Sequence, residues 1–413
     1  MILLYFLIWR TIDFLIIFFS QKIIPYLGFF PYGDQLLKFD LPSWIYALAN
    51  FDGLHYLSIA RDGYAQYEQA FFPLYPILIK FLTPFFSGNQ LLTGLVISNI
   101  SFLIGLIIFY KYLNEGVMNH APTTIFLLLA FPTSFFFGAV YTEGLFFLLL
   151  ITTLYFLKKE KYLFVGLFAF FASLTRLVGV FLIIPILFHL IQRSKIKSQN
   201  LKLKLKSFLY FILNTKYLIL AISPLIGLGI YCFYLYKTTG DPLFFATSQP
   251  IFGANRSSNL ILLPQVYWRY LKIFVTAAHD SRFYVSVIEF ITFNFIFTIL
   301  IMDLYQILLS FPPPIGIEGR LRRESRFSWI PVFTGMTTRW DQLALNLFSL
   351  SNLVLPTLTG TFSSIPRYSL FSLSFFIYIA QIKNIFIKYL ILFIFLFLHV
   401  LLLGYFTQGY FIS

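Results

Sequence analysis

Stretches of about 20 or more residues without a single acidic or basic side chain recur along the whole chain, and a hydrocarbon layer takes about that many helical residues to cross. They run over Phe81–Tyr110, Ala121–Thr142, Tyr217–Tyr236, Gln342–Pro366 and Tyr389–Ser413. In lipid every backbone N–H and C=O must find its partner inside the protein, so runs of this kind are helices. The composition agrees: 59% of the residues are hydrophobic and 11% charged, where a soluble domain carries about a quarter. The sequence therefore predicts an all-α polytopic membrane protein, a single domain over 1–413 with about 9–11 transmembrane helices.

The formal charge of +14 would suggest a nucleic-acid partner in a soluble protein. In a membrane protein Lys and Arg gather in cytoplasmic loops, so here it reads as orientation in a bilayer, with no nucleic acid. The single Cys232 excludes a disulfide framework and a thiolate metal cluster. The first apolar segment, Met1–Phe19, contains Arg10 and Asp13 and lacks a small-residue cleavage site. It is expected to be a retained first span, over about residues 2–24, and not a signal peptide.

Further spans are expected at about 91–113, 122–140, 142–157, 217–236, 283–309, 342–360, 368–382 and 385–406. Two basic runs, KKEK (Lys158–Lys161) and RSKIKSQNLKLKLK (Arg193–Lys206), should share the cytoplasmic face. That demands an even number of crossings within about 30 residues, more than full spans allow. Two short helices meeting at SLTRLVG (Ser173–Gly179) would satisfy it, with the non-helical backbone buried in protein or lining a wet cavity. The alternative is one tilted span that breaks the charge rule. Two polar loops, 25–90 and 237–282, then lie on the outer side. Pro312–Trp340 looks foreign: it opens with three prolines, carries five arginines, has no helical period and resembles a translated mobile repeat. It is expected to be dispensable, the alternative being a cytoplasmic substrate-binding loop.

The first polar loop concentrates scarce charges. Its stretch NFDGLHYLSIARDGYAQYEQAFFPLYP (Asn50–Pro76) holds Asp52, His55, Arg61, Asp62 and Glu68. Asn50 suits an N-cap and Gly63 the position just past a helix end. The helix between them, about 12 residues and about 18 Å long, is too short and polar to span, and is expected at the membrane surface. Asp52, His55, Tyr56 and Ile59 share one face of it. Asp52 falls in the first turn, where the helix dipole favours a carboxylate. Next to an imidazole, such a carboxylate can take a proton from a hydroxyl nucleophile. The plainer reading is that Asp52 only supports the helix start and His55 packs at the interface.

These residues carry a resemblance. FDGLHYLSIARDGY followed by AFFPLYP resembles the signature of the PIG-V-type mannosyltransferases, Trp-Asp-x-x-His-[Tyr/Phe], Ile-Ala-x-x-Gly-Tyr and Phe-Phe-Pro-x-x-Pro. Later pieces match in order: FPTSFFFGAVYTEGLF (Phe131–Phe146), SLTRLVG, GDPLFFATSQPIFGANR and IPRYSL. The resemblance runs from about Phe51 to Leu370 outside the foreign segment. Phe51 stands where the pattern has Trp, Gly144 where it has Ser, and Thr175 where it has a small residue before the Arg.

The resemblance implies a GT-C type glycosyltransferase with its active site on the outer face; the foreign segment and the compact chain suggest a bacterial host, and so its plasma membrane. The resemblance also implies a polyprenyl-phosphate sugar donor, Asp52 as base, and a glycolipid, polysaccharide or protein acceptor. A leaving phosphate needs cations, and Arg176, Arg256 and Arg367 are expected to supply them. Arg176 has a competing role as a structural partner of Glu143, which could instead bond a sugar hydroxyl. His55, Arg61 and Glu68 complete the expected substrate-binding set. No tight metal-ligand spacing is present, so no cofactor is demanded, although a divalent cation held by Asp52, His55 and Glu68 is compatible with the residues. His120, His189, His279 and His399 are expected to be structural. A transporter or flippase of lipid-linked sugars is the alternative; it would call for inverted repeats, and none is visible.

Overall fold

The computed structural model describes residues 1–27, 33–115, 120–193, 214–253, 255–310 and 339–412. Among them there is no strand. The principal helices are α1 (Ile2–Ile23), α2 (Asp52–Asp62), α3 (Leu74–Leu82), α4 (Gln90–Asn114), α5 (Ala121–Ala130), α6 (Glu143–Lys158) and α7 (Tyr162–Thr175). They continue as α8 (Ile183–Arg193), α9 (Thr215–Thr239), α10 (Leu263–Thr276), α11 (Ser281–Ser310), α12 (Arg339–Val354), α13 (Leu373–Ala380) and α14 (Ile385–Thr407).

Five of these, α1, α4, α9, α11 and α14, are long and apolar enough to cross a membrane. That is fewer than the 9–11 spans expected. The difference has a structural cause: several apolar runs are broken. The expected span 122–140 ends after ten residues, at Ala130. Residues 131–142 then pass through the interior without α-helix, almost fully buried. The span expected at 342–360 turns into a 3₁₀ turn at Leu355, and the one at 368–382 keeps only Leu373–Ala380 as α-helix. The polar loop 237–282 holds a helix, α10, that hydropathy alone did not indicate.

Remote side chains make the buried irregular segment affordable by bonding its backbone. The Gly138 carbonyl accepts from Arg10 (3.2 Å) and Asn99 (3.0 Å), the Tyr141 carbonyl accepts from Ser98 (3.0 Å), and the Val140 amide donates to the Leu48 carbonyl (3.0 Å). Such backbone is tolerated in a membrane protein only where protein groups replace water. The charges of α1 serve the same end. Arg10 and Asp13 pair at 3.0 Å, and Asp13 meets His399 of α14 at 2.8 Å. His399 in turn meets Ser134 at 3.2 Å, so one buried network ties α1 and α14 to the broken segment.

Helices approach closely where glycines leave room, a common device in membrane bundles. α6 lies on α4, and α9 on α7. A Cβ on Gly105 of α4 would stand 2.7 Å from the Phe147 ring of α6, and one on Gly227 of α9 would stand 2.5 Å from the Phe170 carbonyl of α7.

Between α7 and α8 the chain takes the hairpin form. Arg176 has an extended backbone, residues 177–182 form a 3₁₀ turn, and α8 runs back. Its end returns to the beginning of α7: His189 meets the Tyr162 hydroxyl at 3.5 Å, and Arg193 forms an ion pair with Glu160. The two ends of this hairpin lie together, as the two basic runs demand, and Arg176 sits at its tip. Residues 194–206 of the second run, and 312–338 of the segment expected to be foreign, lie outside the described residues. The segment's last two residues, Arg339 and Trp340, belong to α12.

Candidate functional site

The tip of the hairpin, the start of α2, the start of α6 and the single turn Ile365–Tyr368 meet around a cavity of about 560 Å³. α2 begins at Asp52 and ends at Gly63 (φ +85). Asn50 does not cap it. Its side chain donates to the Phe406 carbonyl (3.0 Å), and its own carbonyl accepts from the Tyr141 hydroxyl (2.7 Å). The residue between, Phe51, has φ +60, costly for a bulky side chain, and packs on Phe406 and Phe411. Locked from both sides, this turn sets the direction in which Asp52 leaves the backbone.

Asp52 accepts from Arg367 Nη1 at 2.6 Å. Burial pushes its carboxyl up, but the charge and hydrogen bond of Arg367, with smaller help from His55 and Arg256, hold it below the usual carboxylate value. Arg367 is likewise discouraged by burial and held firmly protonated by Asp52 and Glu143. Its guanidinium lies over the rings of Phe136 and Tyr141, each 5.4 Å away.

Glu143 opens α6 with no exposed surface, where the helix dipole favours its charge. Its Oε1 receives the Arg176 guanidinium in a short ion pair and stands 3.6 Å from Arg367 Nε, too far for a hydrogen bond. Arg176 also donates to Thr142 (3.0 Å) and covers the rings of Tyr368 and Phe371. The competing role of Arg176, as a partner of Glu143, is therefore the one present, and Arg367 stands beside the pair. A chain Asp52–Arg367–Glu143–Arg176 runs along one wall.

Arg256 enters from the loop ahead of α10. It donates to Gln249 and to Ser364, both at 3.3 Å. The loop is fastened to the turn at 355–359 by the Ser257 amide on the Thr359 carbonyl (2.8 Å) and the Ile261 amide on the Leu358 carbonyl (2.9 Å). Leu177, Val178, Leu355 and Leu358 add apolar surface to the same cavity.

His55 lines the cavity and bonds Glu68 at 3.1 Å through Nδ1, while Glu68 takes the Ala65 amide on its other oxygen. Stacking on Phe71 fixes the imidazole plane. Asp52 is committed to Arg367 and His55 to Glu68, so the three do not converge as a cation cradle. Among the described residues no group of three His, Cys, Asp or Glu side chains is placed to hold a metal ion.

Seven of the eight expected residues come together: six at the cavity or its wall, with Glu68 held behind His55. Arg61 does not. It is exposed and pairs with the neighbouring Asp62. Nine residues past Asp52, at about 100° per residue, it falls on the opposite face of α2. Thr142, Gln249 and Ser364 were not singled out from sequence, though each lies inside or beside a matching motif. Ser364 carries a signal only the backbone shows, a φ of +67. Compared with protein-family models, curated proteins and solved structures, the chain matches none.

Proposed function

We propose that this chain is a membrane glycosyltransferase of GT-C type, related to the PIG-V-type mannosyltransferases. It moves a hexose, mannose by the motif resemblance, from a polyprenyl-phosphate donor to a hydroxyl of a lipid-linked or surface acceptor on the outer face of a bacterial plasma membrane. The observation that carries this reading is the Asp52 carboxylate, paired with Arg367, on a cavity lined by both arginines and apolar residues. A polar sugar phosphate with a greasy tail calls for both kinds of lining.

The chemistry is a single in-line displacement. The acceptor hydroxyl gives its proton to Asp52, and its oxygen bonds to the anomeric carbon from the face opposite the phosphate. The bond from that carbon to the phosphate oxygen breaks, its electron pair stays on the phosphate, and the configuration inverts. The phosphate goes from one negative charge to two as Asp52 goes from one to none. Arg367 thus loses its partner at the moment a new anion needs a cation, and preorganised charge of this kind is the largest lever on such a step. Glu143 and Arg176 hold Arg367 in place meanwhile.

The test is transfer of radiolabelled mannose from polyprenyl-phosphate-mannose into lipid extracts, by membranes carrying wild type or Asp52→Asn. Loss of transfer with Asn is expected. Full transfer by the variant would remove Asp52 as base, and no transfer by wild type would overturn the mannosyl donor.

A further inference from the structure

Asp13, Asp52 and Glu143 each have a guanidinium at ion-pairing distance, Arg10, Arg367 and Arg176 in turn. Asp303 on α11 has no exposed surface, and no Lys, Arg or His at that distance among the described residues. It stands where α11, α12 and α13 pack on one another. Glu289, which accepts from the Ser364 amide behind the cavity, lies on the same helix. At about 1.5 Å per residue, Asp303 is about 21 Å further along it, well away from the cavity.

The partners that Asp303 does have are neutral. Its Oδ2 accepts from the Asn346 amide (2.6 Å) and the Ser374 hydroxyl (2.5 Å). The same Asn346 nitrogen donates to the Leu300 carbonyl (3.0 Å), so two acceptors fix which way that amide faces. One turn along α11, Gln306 donates to the Tyr378 hydroxyl of α13 at 2.7 Å. Among the described residues, three buried oxygens of this cluster have no donor: Asp303 Oδ1, Asn346 Oδ1 and Gln306 Oε1. The cluster has one uncompensated carboxylate and a surplus of oxygen acceptors.

We infer that Asp303, Asn346 and Gln306 bind a monovalent alkali cation. A carboxylate in a low-dielectric interior is tolerated where it is paired or coordinates a metal, and an ionisable side chain at membrane depth marks a functional site by default. One carboxylate is neutralised by one positive charge, so a monovalent ion leaves this core neutral where a divalent one would leave it charged. Carboxylate and amide oxygens suit hard cations and not soft metals. A proton on Asp303 would also cancel the charge, but it would bond one of the three oxygens, whereas a cation can face all of them. The site goes beyond the glycosyltransferase reading and does not depend on it.

The experiment is thermal unfolding of the full-length protein in detergent above neutral pH. Sodium, potassium or lithium chloride is titrated against N-methyl-D-glucamine chloride at constant total chloride. A ligand that binds only the folded state raises the melting temperature as its concentration rises. Wild type should melt several degrees higher as the small cation replaces the large one, with a defined midpoint. Asp303→Asn keeps the shape and loses the charge. It should be indifferent to the cation and, in N-methyl-D-glucamine chloride, melt no lower than wild type. Ser374→Ala removes the hydroxyl that orients the carboxylate and should weaken the midpoint about 10–100-fold, as loss of such support does at metal sites. Identical wild-type curves in all the salts would overturn the site and leave a proton as the counter-charge. A cation-dependent rise that survives in Asp303→Asn would put the ion elsewhere and overturn it too. Should Asp303→Asn fail to fold, Ser374→Ala decides alone, and an unmoved midpoint refutes the assignment.

Discussion

Replacing Arg367 by Gln leaves two carboxylates facing a neutral side chain. The guanidinium is 10% exposed and the Asp52 side chain 24%. With charge centres about 4 Å apart and an effective permittivity of about 20, the attraction is about 4 kcal/mol. Removing one member of a buried pair costs about 3–5 kcal/mol, because the other charge stays behind. Asp52 keeps some contact with solvent, so the low end, about 3 kcal/mol, applies, and as a rate effect this is about 100-fold. The sign of the pH effect follows from the balance at Asp52. Burial raises its pKa, while Arg367, His55 and Arg256 together lower it below the model-compound value of 3.8. In wild type the pair's contribution is present above 3.8 and fades only as the pH falls through the lower folded value. In Arg367→Gln burial prevails, and the acid limb of activity moves to higher pH. The assay is the initial rate of hexose transfer across about pH 4.5 to 8, where a base must be ionised to work. Wild type should show no acid limb from Asp52 there, Arg367→Gln should be slower and gain rate as the pH rises, and Arg367→Lys should keep the flat profile at reduced rate. A wild-type rate in Arg367→Gln, or a low rate with an unmoved profile, would refute the pairing as the control on this base.

Two further outcomes follow from the geometry and one from the sequence. A Cβ on Gly144 would meet the Ser98 carbonyl of α4 and stand 2.6 Å from the Phe137 carbonyl, so Gly144→Ala should cost about 1–3 kcal/mol by overpacking, read as a lower melting temperature in detergent; an unchanged melting curve would count against the α4–α6 packing. Glu68→Gln removes the charged partner of His55 Nδ1 and should slow transfer about 10-fold, as loss of a charge-assisted bond does; a wild-type rate would show that His55 needs no carboxylate. Deleting Gly316–Thr337 should leave transfer unchanged, and a dead deletion variant would make this segment part of the working protein.

What could be read from the sequence, and what could not, divides by the range over which each interaction acts. The short polar helix was legible because its signals are local: Asp52 in the first turn, Gly63 past the end, and His55 one turn on. The place of Arg61 is local too, since nine residues at about 100° each put it on the face opposite Asp52. The breaks in the apolar runs were not, because hydropathy averages side chains, whereas residues 131–142 lose their helix to donors on Arg10, Ser98 and Asn99. The Asp52–Arg367 pair was not legible either, since its partners stand 315 residues apart, whereas Arg176 and Glu143, 33 apart in two matching motifs, could be set together as one alternative. Where water is scarce a charge without a partner is costly, so in such a chain the informative quantity is which ionisable groups are matched and which is left over. By composition the surplus of arginine and lysine says only which way the protein faces. By pairing, the same side chains show which arginines are committed at this cavity, Arg367 to Asp52 and Arg176 to Glu143.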